Sequence, residues 1–291
     1  MITKNTLIYI MGTGRSGTTA LATFLGNNKE IQNIGEMHQF FEHIDENKEC
    51  SCGKQINECD FWDNKISNNL IQSSTKNRIL SEKFESHSSI VKHILQLFSK
   101  KEIEEYLEIH QQLLSTIQLD SEKTTLLDSS KYIGRALALD KLENIDLKVI
   151  YVVRDVRGVI NSFSKNVQTS KKPLSTIFYY LIINSVAEFV AKILLRKKVV
   201  KIRYEDLIYS PLKVFSKLEL FLKLDLTGVK NKIIDKQPFL LGHIVGGNRL
   251  KKNKEIYFRK DVSWEDKFSL VSRVCYYILA FPIMFLNRYK L

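Results

Sequence analysis

The chain has 291 residues, 44% of them hydrophobic and 26% charged, enough to bury a substantial core in one large domain or two small ones. Its 4 prolines and 12 glycines exclude a collagen-like or disordered chain, and its 4 cysteines are too few to staple a protein of this size. The formal charge of +12 is unevenly spread, with 17 basic against 21 acidic side chains in residues 1–150 and 27 against 11 in residues 151–291. That polarity suits nucleic acid, an anionic membrane or a polyanionic small molecule, or else a basic surface kept for solubility.

In chain order, Leu7 to Met11 reads as a buried strand. It is too short for a signal peptide or a membrane span, so the expected address is the cytoplasm. Gly12-Thr13-Gly14-Arg15-Ser16-Gly17-Thr18-Thr19 follows, then a helix from Ala20 to Leu25. Strand, glycine-rich turn and helix together place unpaired backbone N–H groups around an anion. Residues 40–123 read as a helical excursion between the first two strands, with helices near Ile90 to Phe98 and Ile103 to Ile117, and substrate-facing structure is expected there. Further strands are expected at Thr125 to Leu127, Leu147 to Val153 and Val199 to Tyr204, with helices at Arg135 to Leu142 and Leu174 to Leu195. This alternation gives an α/β fold, a P-loop-type three-layer arrangement around a central, mainly parallel sheet, with a helical insertion after the first βα unit. The whole chain, 1–291, reads as a single domain. Residues 265–291 are expected to form a C-terminal helix docked on the core, with an interfacial membrane contact as the alternative.

The loop has the glycine spacing of a Walker A sequence but carries Thr18 where that motif needs lysine, and the later strand ends in Arg154-Asp155-Val156-Arg157 rather than in a lone acid. ATP hydrolysis is therefore disfavoured, and a nucleotide ligand whose chemistry needs no metal is favoured. Cys50, Cys52 and Cys59 lack the spacing of a zinc knuckle, and no fourth ligand is evident without recruiting His43. Structural packing is expected for them, with a labile disulfide as the alternative, and no metal is assigned.

The Gly12–Thr19 loop resembles the 5′-phosphosulfate loop of sulfotransferases that use 3′-phosphoadenosine 5′-phosphosulfate (PAPS). The run Arg154 to Ser162 is similar to that family's 3′-phosphate-binding strand-turn-helix. Asp128-Ser129-Ser130-Lys131, Arg203-Tyr204-Glu205-Asp206-Leu207 and His243 to Lys251 resemble its later segments, and all appear in family order. The cysteine segment resembles one found in bacterial members. Arg15 stands where the soluble small-molecule branch has lysine, which points to the carbohydrate-type or bacterial branches. Lys251 closes the late loop where arginine is usual.

The resemblance implies PAPS as co-substrate, no metal requirement, and sulfuryl transfer to a hydroxyl of a carbohydrate or glycolipid acceptor. Gly14, Arg15, Ser16, Gly17, Thr18 and Thr19 would hold the 5′-phosphosulfate, and Arg154 and Ser162 the 3′-phosphate. Asn248 and Lys251 would close over the nucleotide. Arg15, permanently protonated, would act electrostatically. Glu36 is the base that the resemblance implies, whereas intrinsic acidity alone favours His38. Lys131 would touch the sulfonate or orient the acceptor. Structural readings stand beside these: an Arg154 ion pair with Asp155 or Glu205, and a capping role for Glu36. The competing functions are a P-loop kinase of a small metabolite and, behind it, a nucleic-acid-binding protein. The partner expected is a small-molecule or glycan acceptor and not nucleic acid, with peripheral contact to the inner face of a membrane as an option.

Overall fold

The computed structural model describes residues 5–119, 121, 123–165, 171–247 and 253–291. Strand β1 (Asn5–Gly12) sends Leu7, Tyr9 and Met11 into one core cluster and Ile8 and Ile10 into another, so it is covered on both faces. Helix α1 (Thr18–Gly26) and strand β2 (Ile31–Gly35) follow. The helical region then runs through α2 (Phe40–Asp45), α3 (Asn68–Gln72), α4 (Ser74–Glu85), α5 (Ile90–Ile94) and α6 (Lys100–Leu119). Strand β3 (Thr125–Lys131), α7 (Ile133–Leu139), β4 (Ile145–Val153), α8 (Val156–Ser164), α9 (Pro173–Phe189) and β5 (Val199–Arg203) complete the α/β body. After them come α10 (Tyr204–Tyr209), α11 (Pro211–Leu222), α12 (Thr227–Ile234), the antiparallel pair β6 (Phe239–Leu240) and β7 (Glu255–Ile256), α13 (Trp264–Lys267), α14 (Leu270–Leu279) and α15 (Phe281–Leu286).

The five-stranded sheet has the order β2-β3-β1-β4-β5, and every pair in it is parallel. Helices α6 to α9 pack on the face of Leu147, Val149 and Tyr151, while α1 and α11 cover Ile150 and Val152, which gives the expected three layers. From β1 the chain goes to β2 and β3 on one side, then crosses to β4 and β5 on the other. The carboxyl end of β1 is therefore the switch point at which α/β sheets open a ligand crevice.

Helices α10 to α12 and the β6–β7 pair were not expected, α5 is shorter than expected, and two further differences concern β2 and the C-terminus. Strand β2 precedes the helical region, which therefore lies between the second and third strands of the chain rather than the first and second. Residues 265–291, expected as one helix, hold the end of α13 and then α14 and α15, which are broken at Ala280, with Pro282 in the first turn of α15 where its missing N–H costs nothing. The tail beyond α15 is docked by buried Tyr289, whose hydroxyl donates to Glu205 Oε2 at 2.7 Å.

Candidate active site

The β1–α1 turn is braced from inside. Thr13 Oγ1 and Ser16 Oγ lie 2.6 Å apart and buried, so the Ser16 hydroxyl holds the loop together. Gly17 has φ +86, and a Cβ there would come 2.4 Å from the Tyr204 ring, which requires glycine. Arg15 is also left-handed, at φ 69, a conformation that costs a non-glycine residue about 1–2 kcal/mol. Its carbonyl accepts from Arg154 Nη1 at 3.0 Å, which ties the strained residue to the end of β4. Helix α1 begins with no side-chain cap and no acid in its first turn, leaving the positive end of its dipole open to an anion. The Gly14 N–H donates to Tyr179 Oη at 3.1 Å, so the run of donors from Gly14 to Thr18 is one shorter than expected.

Beyond this loop opens a cavity of about 520 Å³ that brings together Gly14, Arg15, Gly17, Thr18, Thr19, Glu36, His38 and Lys131. Glu36 follows Gly35, whose φ of +82 and close approach to Val245 O (2.2 Å from a would-be Cβ) turn the chain off the sheet edge. Lys131, at the end of the neighbouring β3, donates to Glu36 Oε1, and Gln39 Nε2 donates to Oε2 at 3.3 Å. His38 faces the same Gln39 nitrogen at 3.2 Å, and its backbone N–H donates to Ser130 Oγ at 3.0 Å. Burial, aided by Lys131 and Arg135, pushes the His38 imidazole well below its ordinary range, so it is neutral at neutral pH. The Asp128–Lys131 segment is held from below, where Asp128 accepts from the Ser130 N–H at 2.9 Å and from Arg135 Nε at 2.8 Å.

A second cavity, of about 380 Å³, lies across Arg15 and Gly17 and holds Arg154, Ser162, Tyr204 and Asp261. Arg154 is 5% exposed and its guanidinium lies 4.1 Å from the Tyr204 ring centroid. Its Nε has no protein partner among the described residues. A buried guanidinium with an orphaned donor beside an open cavity fits an incoming phosphate. Arg154 pairs with neither Asp155 nor Glu205. Asp155 binds Arg157 through Nε and Nη2, at 2.9 and 2.6 Å, and Glu205 accepts from the Asp155 N–H at 3.0 Å. The acid nearest to Arg154 is Asp261, 3.6 Å from Nη2. Arg157 also donates to the Lys290 carbonyl at 2.7 Å, so it fastens the C-terminal tail.

A third cavity, of about 600 Å³, shares His38, Gln39 and Tyr132 with the first and is otherwise lined by Glu42, Glu82, Glu85 and Ser86. It lies against the helical region, where substrate-facing structure was expected. Asn248 and Lys251 lie outside the described residues, though Gly247, just before them, lines the first cavity. Away from the cavities, Cys50, Cys52 and Cys59 converge with His243, a fourth donor that their local spacing does not supply. His43 is engaged elsewhere, with Nδ1 donating to Gln39 O at 2.9 Å and Nε2 accepting from the Gly246 N–H at 3.2 Å.

A sequence model of the sulfotransferase family matches residues 8–228. The chain belongs to the sulfotransferase family. A search of curated protein sequences finds no significant match. Among solved structures, this sulfotransferase is similar to the sulfotransferase domain from the curacin biosynthetic pathway, at 19% identity and a TM-score of 0.56 over 99% of each chain. It is also similar to the sulfotransferase domain of the Synechococcus PCC 7002 olefin synthase, at 17% identity and a TM-score of 0.57, covering 100% of this chain and 97% of the other. These likenesses establish a common fold. Sequence reasoning missed His87, Tyr132, Phe163, Lys171 and Tyr179, which line the first cavity of the sulfotransferase. Lys171 sits 4.0 Å from the Tyr179 ring centroid and adds a cation to the cavity wall. Nothing local marks these residues, since each enters from an element whose own pattern is that of an ordinary core helix or loop.

Proposed function

We propose that this sulfotransferase transfers the sulfuryl group of PAPS to a hydroxyl of a carbohydrate or glycolipid acceptor, by in-line displacement assisted by a general base. The observation that supports this most directly is the meeting of two cavities at Arg15 and Gly17. One carries the buried Arg154 guanidinium with its unpartnered Nε, suited to the 3′-phosphate. The other carries the Glu36–Lys131 pair, suited to the reacting groups. Arg15 and the first turn of α1 hold the phosphosulfate and neutralise the charge that develops on the leaving oxygen. Lys131 holds the sulfonate and Glu36 takes the acceptor proton. The third cavity, beside His38, offers carboxylate acceptors to sugar hydroxyls and is the place for a neutral polyhydroxy acceptor. The motif pattern favours the carbohydrate-type or bacterial branches. A kinase reading loses ground because Asp155, the carboxylate after β4, is committed to Arg157 and to capping α8. A cytoplasmic location with peripheral contact to an anionic membrane belongs to the same reading.

Titration calorimetry with 3′,5′-adenosine bisphosphate tests the donor site. Binding is expected without metal and far more tightly than adenosine monophosphate, and Arg154→Ala should weaken it by about 10- to 100-fold, the worth of a charge-assisted contact. Equal affinity for the two nucleotides, or a preference for magnesium ATP, overturns the reading.

A further inference from the structure

Three thiols and an imidazole from two distant parts of the chain meet at one point. Cys50, Cys52 and Cys59 lie between α2 and α3, and His243 lies in the late loop, 184 residues beyond Cys59. Their four ligand atoms all lie within 4.8 Å of one another, with Cys52 Sγ 3.6 Å from Cys59 Sγ and Cys59 Sγ 3.1 Å from His243 Nδ1. Tetrahedral zinc, with bonds of about 2.3 Å to sulfur and 2.0–2.1 Å to nitrogen, sets ligands about 3.5–3.8 Å apart, close to this spacing.

We propose that Cys50, Cys52, Cys59 and His243 form a structural zinc site. Three soft sulfur donors and one imidazole in a compact cluster select zinc among the common divalent ions. The surroundings are built as a ligand cage. Gly53, at φ +90, lets the chain turn back after Cys52, and its N–H donates to Cys50 O at 3.0 Å. The Phe61 ring stacks on the His243 imidazole at 5.8 Å and 19° between planes, which fixes the orientation of Nδ1. Ser51 joins the two segments a second time, accepting from the Ile244 N–H at 2.8 Å and donating to Gly242 O at 2.7 Å. Cys50 and Cys59 are buried while Cys52 lies at the surface, which leaves a path for the ion.

All four positions of the ion are filled by protein, so the centre is a clamp and offers no open site for catalysis. What it clamps is the wall behind the active site. The loop that carries His243 runs on to Val245, which accepts from the Glu36 N–H at 2.7 Å, and to Gly247 in the first cavity. Closing so long a loop is where a cross-link contributes most to stability.

The test is metal content, read on the full chain grown with zinc and exhaustively dialysed. About one zinc per chain is expected, lost in Cys59→Ser and in His243→Ala and retained in His43→Gln. Cobalt(II) added to the chelated wild-type protein should give the intense visible bands of tetrahedral thiolate coordination, and the melting temperature should fall on chelation and recover with zinc. The cobalt readout needs no variant to fold. Wild-type protein that holds no zinc and gives no such bands overturns the proposal, as does a Cys52–Cys59 disulfide in protein purified under reducing conditions.

Discussion

Glu36 and Lys131 come from the ends of neighbouring strands and share a hydrogen bond, and it is on this pair that the proposed base rests. The competing group, His38, has been pushed well below its ordinary range by burial first and by Lys131 and Arg135 next. An imidazole that protonates so reluctantly is a weak acceptor of the proton of an acceptor hydroxyl. Glu36→Gln should therefore lose about 100-fold or more in kcat while binding 3′,5′-adenosine bisphosphate within about threefold of wild type, since a positioned base contributes on that scale. Comparable turnover in the variant would transfer the role to His38. Because His38 gains its proton only well below pH 6.5, no activity loss attributable to it should appear as pH falls through that value. At this scale the sequence was informative where the signal was local. Gly12–Thr19 and Arg154–Ser162 each carry strand, turn and helix within a dozen residues. His243 gave no such signal because its three partners lie some 190 residues earlier, and it is tertiary pairing of the late loop, with Gly35 at Val245 and with Ser51 at Gly242 and Ile244, that brings them together.

At the scale of elements, the helical region is pinned to the sheet by charge. Arg135 on α7 donates to Asp128 on β3 and to Glu85 at the end of α4, and all three are buried. From α6, Tyr106 donates to Glu85 Oε1 at 2.9 Å, and His110 lies 3.3 Å from the same oxygen. Burial raises Glu85 from its ordinary 4.5 to about 7, against the opposing pull of Arg135 and Tyr106. A carboxyl whose folded value is raised binds its proton in the native state when the unfolded chain has already released it. Its contribution to stability is thus complete below pH 4.5 and is lost as pH rises to about 7. Melting temperatures of wild type and Glu85→Gln, compared from pH 4.5 to 7.5, should show wild type losing ground to the variant across that window; a constant difference would place the Glu85 titration outside it. Strands β1, β3, β4 and β5 were legible because each carries a compact apolar run. Strand β2 was not, because Ile31-Gln32-Asn33-Ile34-Gly35 holds only two large apolar residues and takes its strand character from pairing with β3. The C-terminal apolar run was read as one helix because its composition is uniform, although Pro282 already marks the break.

Across the whole molecule, the excess of positive charge lies in residues 151–291, and part of it flanks an apolar surface. Helix α9 and the π-helical turn that continues it, Val190–Leu194, form an apolar segment long enough to cross a membrane, yet its inner side belongs to the core, where Asn184 Oδ1 accepts from the buried Tyr151 hydroxyl at 2.9 Å. Its outer side exposes Leu174, Phe178, Ile182, Phe189 and Ile193, a stripe repeating at about one helical turn. Exposed Lys172 stands at one end of the stripe, and Arg196, Lys197 and Lys198 stand at the other. Helix α15, packed on α9 through Met284 and Tyr180, adds exposed Phe281 and Phe285. An apolar stripe with cations at both ends matches an anionic lipid surface, where each basic residue near the headgroups contributes about 1 kcal/mol and the apolar side chains enter the acyl boundary. The protein should therefore sediment with phosphatidylserine-containing vesicles and much less with phosphatidylcholine alone, and the difference should shrink as salt shortens the Debye length below about 10 Å. Phe178→Glu combined with Ile182→Glu places charge on the outer side only, so it should abolish sedimentation and leave bisphosphate affinity intact. If the double variant sediments like wild type, or if neither vesicle carries the protein down, α9 is no lipid-facing element and the basic charge acts on the nucleotide and on solubility alone.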